Sequence, residues 1–192
     1  MKKILPILLI VVIAFCGQAC KKKEESDPAP QPTVLQLGQK QMDSDKLMDL
    51  TDGTNYTITD ALNNTAKIDI NYSKSLTVND GTKDTLVTSV LVSADAIGVD
   101  GNTPFNNLTT LAPLSRGTLP VNVTDPAELK TLYDQAVTDF GGESRILFGI
   151  PANVIIMFKI RGNGSNPKYG GIQFDSFNAD STSANVTITV QE

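Results

Sequence analysis

The stretch NVIIMFKIRGNGSNPKYGGIQFDSF, residues 153–177, contains two apolar segments that are separated by a turn rich in Gly and Asn. Val, Ile, Phe and Tyr favour strands, and turn-forming residues bound both segments. The central GNGSNPKYG does not fit a phosphate-binding loop, because Pro167 stands where the helix would have to start. The stretch therefore predicts two strands, Asn153–Gly162 and Tyr169–Phe177, joined by a hairpin turn.

Further strand signals occur on both sides of this stretch. They lie at Ala66–Ser73, Asp84–Ser93, Arg145–Ile150 and Ala184–Gln191. A parallel α/β sheet would require a helix between successive strands, and most of these strands follow one another at short spacing. Residues 33–192 therefore predict one mainly β domain, an antiparallel β-sandwich with one packed helix.

The helix is predicted in TDPAELKTLYDQAVTDFGG, residues 124–142. Asp125 and Glu128 have the spacing of a capping box, with Pro126 at the first helical position. A Gly-Gly pair provides the left-handed exit. The predicted helix covers residues 126–140, and its apolar stripe consists of Leu129, Leu132, Ala136, Val137 and Phe140.

Three weaker signals complete the domain. A short helical turn is indicated at Asp60–Leu62, and Asn102–Val123 predicts a long loop with short strands, because it holds four Pro or Gly residues. Tyr56 and Tyr72 lie within strand patterns, which favours core or cross-strand positions for both rings.

The first 19 residues have the layout of a signal peptide. Lys2 and Lys3 precede an apolar block, Ile4–Phe15. A membrane-spanning helix needs about 20 apolar residues, and this block is shorter. A permanent membrane anchor is therefore the disfavoured alternative to a cleaved signal at residues 1–19.

The end of this segment resembles the lipobox of bacterial lipoproteins, in which a peptidase cuts before a cysteine that carries a diacylglyceryl group. Ala19 provides the small residue needed before Cys20, whereas Phe15 before Cys16 is too bulky. Ordinary secretion would instead leave Cys20 as a lone exposed thiol, which would need its own explanation. Lipidation of Cys20 is the favoured prediction.

Residues 20–32 predict a tether between lipid and domain. Lys21 is not the aspartate that retains many lipoproteins in the inner membrane, so sorting to the outer membrane is allowed. Lys23–Glu25 resembles a charged signal for export to the cell surface, with a solvated charge cluster as the alternative. Asp27–Pro32 contains three prolines and predicts an extended spacer. The expected location is the bacterial outer membrane, with the domain facing outward.

A family resemblance follows from longer stretches. DLTDGTNYTITDALNNTAKIDINYS at residues 49–73, GIPANVIIMFKIRGNGSNPKYGGIQFDSF at residues 149–177 and the closing VTITV at residues 186–190 are similar to uncharacterised surface lipoproteins of gut and oral bacteria. The recurring elements are an Asp-Gly turn before an aromatic strand, a Lys-Ile-Asp-Ile strand and a Phe-Lys strand followed by Lys-Tyr-Gly. The resemblance implies a β-rich fold and no established activity.

Charge and composition exclude several functions. Removing Lys2 and Lys3 from 16 basic residues leaves 14 against 21 acidic residues, a net charge of −7. Such a chain is an improbable partner for nucleic acid. The absence of His excludes Ser-His-Asp and Cys-His catalysis and the common zinc sites. No cofactor and no metal site are predicted. The Asp-Gly sequences near Asp80, Asp84, Asp100 and Asn102 fit hairpin turns better than calcium loops.

The chain is not predicted to be an enzyme. Two carboxylate pairs, Asp95 with Asp100 and Asp134 with Glu143, are candidates for a glycoside hydrolase, but nothing in the sequence brings either pair together. A pilus-like structural subunit is a further alternative, because the C-terminal strand alternates cleanly and is exchangeable in principle. A binding or interaction role is the favoured prediction.

A ligand is expected to contact loops at the end of the sandwich. Two loops carry basic, aromatic and carboxamide side chains together, Asn102–Arg116 and Arg161–Gly171. The candidate contact residues are Arg161, Lys168, Tyr169 and Phe105. Such side chains stack on and hydrogen-bond to saccharides, so a glycan or a surface protein is the expected partner, with plain solvated loops as the alternative.

Overall fold

Strands dominate the computed structural model, which describes residues 33–79, 81–82, 84–97, 104–114, 123–161 and 166–192. The strands are β1 (Val34–Asp43), β2 (Lys46–Asp49), β3 (Thr54–Tyr56), β4 (Ile70–Asn79), β5 (Asp84–Ser93), β6 (Leu108–Leu114), β7 (Ile146–Leu147), β8 (Val154–Arg161), β9 (Lys168–Phe177) and β10 (Ser183–Gln191). The helices are α1 (Ile58–Leu62) and α2 (Pro126–Phe140), and a 3-10 turn covers Ala94–Ala96.

The strands form two antiparallel sheets of five. The first sheet has the order β1-β10-β9-β8-β6, and the second has the order β3-β2-β4-β5-β7. Strands β8 and β9 pair as predicted, with Ile160 opposite Lys168 beside the turn. Asn79 likewise pairs with Asp84 across the β4–β5 connection. The prediction of an antiparallel β-sandwich with one packed helix is confirmed.

The main core lies between the two sheets. Because side chains alternate along a strand, every second residue of β8, β9 and β10 faces the second sheet. Phe158 and Phe174 from the first sheet meet Tyr72 from the second, and all three are fully buried. The Tyr72 hydroxyl reaches the edge of this core and donates to Ser181 O at 2.9 Å. Each such side chain contributes on the order of 1.5–3 kcal/mol through burial.

Helix α2 covers the outer face of the first sheet, and its limits match the predicted ones. Asp125 Oδ1 accepts a hydrogen bond from Ala127 N at 2.8 Å, and Gly141 ends the helix at φ 86°. The buried residues are Leu129, Tyr133 and Ala136. The predicted apolar stripe was wrong at its end, because Phe140 is 49% exposed and lines a surface cavity.

Several strand limits also differ from the predictions. The predicted strand Ala66–Ser73 begins only at Ile70, because Lys67 N donates to Asn64 O in a preceding turn. Strands β1 and β2 were not predicted. Strand β3 contains Tyr56, which the sequence placed in a strand pattern, and Asn102–Val123, predicted as a loop with short strands, contains the seven-residue β6. Pro113 is tolerated there because β6 is the edge strand of its sheet.

The described residues belong to one unit, Pro32–Glu192. Their helices are all too short or too polar to cross a membrane. The predicted signal peptide, residues 1–19, lies outside the described residues, as do Cys20 and the rest of the predicted tether, residues 20–32.

Candidate functional site

A polar cleft opens at one end of the sandwich and encloses about 190 Å³. Both sheets contribute to it. We call it the aspartate cleft, defined by the polar residues Asp49, Lys67, Asp69, Asn107, Asn166 and Lys168. The hydrophobic side chain of Ile160 forms part of its wall.

The antiparallel topology brings these residues together. Asp49 ends β2 and Asp69 immediately precedes β4, which pairs with β2. Asn107 immediately precedes β6, and Lys168 begins β9. Because β6 and β9 both run antiparallel to β8, their first residues meet at the end of β8. Residues from segments that are distant in the sequence therefore share one cleft.

Asp69 is the most buried carboxylate of the cleft, with 1% of its surface exposed. Its Oδ2 accepts a hydrogen bond from Leu50 N at 2.8 Å, and its Oδ1 accepts one from Asn107 Nδ2 at 3.0 Å. Burial raises the pKa of Asp69 to about 7, and the charge of Asp49 adds to this, whereas the two hydrogen bonds and Lys168 lower it. The protonated form of Asp69 is therefore favoured much more strongly than in a free aspartate.

Asp49 is buried beside Asp69 and shapes the turn after β2. Its Oδ1 accepts hydrogen bonds from Thr51 N at 2.7 Å and from Thr51 Oγ1 at 2.5 Å. Its backbone carbonyl accepts from Gly53 N at 2.9 Å. Both side-chain bonds end on Oδ1, so the turn does not use Asp49 Oδ2. Because Asp49 lines the cleft, Oδ2 is the oxygen of this residue that the turn leaves available as an acceptor.

Asn107 is oriented by two hydrogen bonds. Its Nδ2 donates to Asp69 Oδ1 at 3.0 Å and to Ala66 O at 2.8 Å. An amide group has two N–H donors, and these bonds use both. A ligand would therefore meet the carbonyl oxygen of Asn107 as an acceptor.

Two lysines balance the carboxylates. Lys67 is exposed, and Lys168 is half-buried at the cleft wall. Asn166 is exposed and adds an amide. The cleft therefore offers both hydrogen-bond donors and acceptors with nearly balanced charge. The described residues contain no group of three carboxylate, His or Cys side chains that could hold a metal ion.

The four predicted contact residues do not form one surface. Lys168 lines the aspartate cleft. Phe105 is 5% exposed and packs against Leu47 and Ile68, so the expectation of an exposed aromatic at this position is corrected. Its position just before β6 directs the apolar ring into a separate cluster beside the second sheet instead of toward solvent. Asn107, which lies in the same predicted loop, lines the aspartate cleft, whereas Phe105 does not.

Arg161 and Tyr169 lie on the other face of the first sheet. Tyr169 follows Lys168 on β9, and successive side chains of a strand point to opposite faces. Its half-buried ring contacts Tyr133 of α2 at a centroid distance of 5.4 Å. Arg161 Nη2 lies 3.5 Å from Glu143 Oε2. Both residues therefore belong to the contact between helix and sheet.

A charged cluster fixes this helix contact. Lys159 is buried, pairs with Glu143 and lies 4.9 Å from the ring centre of Tyr133. Burial alone would raise the pKa of Glu143, but hydrogen bonds from Lys159 and Tyr133 and the nearby Arg161 charge hold it below its usual value. Burial raises the pKa of Tyr133, whose hydroxyl is also bonded to Thr110 at 2.6 Å. The charges of the cluster are paired within the protein.

The carboxylate pairs considered from the sequence have other partners. Asp134 pairs with Lys130 at 2.5 Å on the exposed face of α2, and Glu143 pairs with Lys159. Asp95 pairs with Arg145. Asp80, Asp100 and Asn102 lie outside the described residues, and so does the side chain of Asp84.

Two other cavities in the described part of the chain are mainly apolar. One encloses about 340 Å³ and includes Ile58, Leu62 and Phe105, and the other encloses about 330 Å³ beside Phe140 and Phe148. Neither concentrates charged side chains as the aspartate cleft does.

Comparison with solved structures identifies a similar fold. The crystal structure of a DUF4466 family protein from Parabacteroides merdae ATCC 43184 matches with a TM-score of 0.55 and 12% sequence identity. The match covers 82% of this chain and 53% of that protein, so this chain spans about half of its length. The chain thus shares a β-rich fold with a bacterial protein of an uncharacterised family. No protein-family model and no curated protein match the sequence.

Sequence reasoning missed both aspartates of the cleft. Asp69 had a signal, because it stands between Ile68 and Ile70 in a segment that the fold buries. A carboxylate that interrupts an apolar run must be paired or protonated when it is buried. Asp49 had no comparable signal, since its Asp-Leu-Thr-Asp-Gly context is typical of an ordinary turn.

Proposed function

We propose that the protein is a lipid-anchored protein of the bacterial outer membrane, facing outward, with a non-catalytic binding role. We further propose that the aspartate cleft is its binding site. The single observation that supports this site is the convergence of charged and amide side chains from both sheets around one cleft. Loops that are mounted on a rigid sheet scaffold commonly carry binding residues.

The anchor proposal rests on the sequence. The basic start, the short apolar block, Ala19-Cys20 and the charged, proline-rich tether agree with a bacterial lipoprotein. The resemblance to surface lipoproteins supports the outward orientation.

Cell fractionation tests the anchor. Cys20→Ser should move the protein from the membrane to the soluble fraction, with Cys16→Ser as the matched control that stays in the membrane. Protease added to intact cells should degrade the wild-type domain. If Cys16→Ser releases the protein and Cys20→Ser does not, the assignment of the lipidated cysteine is wrong. Protection from protease in intact cells would contradict the outward orientation.

The geometry of Asp69 favours binding over catalysis. A general acid must reach the atom that it protonates. Both oxygens of Asp69 already accept hydrogen bonds within the protein, and its side chain is almost completely buried. Asp69 therefore positions Asn107 and the Leu50 backbone instead of reaching a substrate.

A carboxylate-dependent glycoside hydrolase is the second candidate. It is favoured by one observation, the raised pKa of Asp69 beside a second carboxyl group, that of Asp49, since a pair of carboxyl groups is the usual requirement of that chemistry. Its carboxylate pair would be Asp49 and Asp69, which is neither of the two pairs that the sequence analysis named.

One paired experiment separates the two candidates. The purified protein is applied to a glycan array and incubated with the same polysaccharides in a reducing-end assay. The binding proposal expects stable retention of a glycan without new reducing ends. Turnover without retention, abolished by Asp69→Asn, would establish the hydrolase and overturn the non-catalytic role.

A pilus-like subunit finds no support in the described residues. Strand β10, which such a subunit would exchange, pairs with β1 on one side and β9 on the other within the same chain. A monomeric elution profile in size-exclusion chromatography is expected, and filaments that vanish on deletion of β10 would contradict this.

A further inference from the structure

Given the proposed binding role, we infer that the aspartate cleft takes an uncharged saccharide unit. A sugar hydroxyl both donates and accepts hydrogen bonds. The cleft provides acceptors in Asp49 Oδ2 and the Asn107 carbonyl oxygen, and it provides donors in Lys168 and Lys67. Adjacent hydroxyls of one sugar ring can donate to these acceptors and accept from these donors at the same time.

The mixed charge of the cleft gives no net attraction to a charged ligand. A cationic ligand would be attracted by Asp49 but repelled by Lys67 and Lys168, and the reverse holds for an anionic ligand. A neutral ligand meets no such repulsion and still uses the hydrogen-bonding groups of Asp49, Asn107 and the two lysines.

The size of the cleft limits the ligand. Sites for drug-sized molecules enclose roughly 300–1,000 Å³. The aspartate cleft encloses about 190 Å³ and is open to solvent on one side. It therefore suits one sugar unit, with the rest of a longer glycan outside.

The residues have separate roles in this proposal. Asp49 and Lys168 contact the sugar. Asp69 is a positioning residue, because it holds Asn107 through the 3.0 Å bond to Nδ2 and holds the turn through Leu50 N.

Isothermal titration calorimetry with three probe classes tests the ligand class. The mature protein, purified with detergent, is titrated with neutral sugars (glucose, galactose, mannose and N-acetylglucosamine), with glucosamine as the cation and with glucuronate and galacturonate as anions. At least one neutral sugar is expected to bind more tightly than every charged one.

Two substitutions test the cleft with matched controls. Asp49→Asn retains an oxygen that accepts from Thr51 N and changes only the second oxygen, so the turn is kept. Its control is Asp52→Asn, which alters a similar turn bonded to Thr54 N outside the cleft. Lys168→Met removes the ammonium group, with Lys130→Met on α2 as its control. Each cleft variant should weaken binding about tenfold or more, and each control should leave it unchanged.

The outcomes distinguish the two proposals. If a charged sugar binds more tightly and Asp49→Asn or Lys168→Met abolishes that binding, the inference on ligand class fails and the cleft remains the binding site. If no probe binds, or if the cleft variants bind as tightly as the wild type, the inference fails and so does the assignment of the site.

Discussion

Adjacent threonines on β6 have opposite surroundings. Thr110 faces α2 and its hydroxyl is bonded to Tyr133 at 2.6 Å, whereas Thr109 faces the core between the sheets. Thr109 Oγ1 is buried without a hydrogen-bond partner among the described residues. An unsatisfied buried hydroxyl costs free energy that an apolar group of the same shape does not.

Thr109→Val should therefore increase the free energy of unfolding by up to about 1 kcal/mol. Thr110→Val is the matched control, which should lower it by about 1 kcal/mol because the Tyr133 hydroxyl loses a partner. Urea unfolding of both variants measures the difference. Equal destabilisation by the two substitutions would contradict the assignment of Thr109 as unsatisfied.

Asp69 predicts the pH dependence of stability. Its pKa is about 7 in the folded chain, against 3.8 for an unperturbed aspartate, so the folded state binds the proton more tightly. Its stabilising contribution is complete below about pH 4 and is lost as the pH rises through 7. The chain has no His that would titrate in this range. The free energy of unfolding should fall with rising pH, by at most about 1.4 kcal/mol per pH unit.

Substitution at Asp69 provides the control for this dependence. Asp69→Asn should flatten the profile between about pH 4 and pH 7, which is the interval between the pKa of a free aspartate and that of folded Asp69. Lys168→Met should extend the decline to higher pH, because the Lys168 charge lowers the pKa of Asp69 in the folded chain. An unchanged profile in both variants would show that another group causes the dependence.

At the scale of elements, a helix or strand could be predicted where its own residues carry strong local signals. Helix α2 was predicted to the residue because its cap, first proline and terminal glycines are all local signals. Strand β1 was missed because VLQLGQKQMD is mostly polar, and it lies at the edge of the first sheet with a register shift near Gly38. Strand β1 is held in the sheet by its pairing with β10, which its own sequence does not indicate.

Gly170 on β9 provides a test of close strand packing. A Cβ at this position would lie 2.2 Å from Phe158 Cζ and 2.5 Å from Thr189 O. Gly170→Ala should therefore destabilise the fold by about 1–3 kcal/mol or more, because the core is overpacked.

Gly38→Ala is the control for that substitution. Gly38 has φ 66° and no atom within 4 Å of an added Cβ, so only backbone strain of about 1 kcal/mol is expected. Thermal unfolding of both variants measures which substitution destabilises the fold more. A smaller effect at Gly170 than at Gly38 would contradict the close approach of Phe158.

At the scale of the whole molecule, the candidate site depends on tertiary structure. The sequence indicated that loops would carry the ligand contacts, and two of its loops provide Asn107 and Lys168. It did not indicate which face each side chain would take, so Arg161, Tyr169 and Phe105 were grouped with Lys168. The alternation within β9 and the burial of Phe105 separate them. Asp49 and Asp69 join the site only because β2 and β4 pair.

The central claim is that ligands bind in the aspartate cleft. Hydrogen–deuterium exchange of the mature protein, with and without the four neutral sugars of the calorimetric panel, tests it most directly. Binding in the cleft predicts slower exchange in segments 48–53, 67–70, 105–109 and 166–169, and no change in helix α2. Slower exchange confined to the apolar cavity around Phe140 and Phe148, or no change in any segment, would contradict the claim.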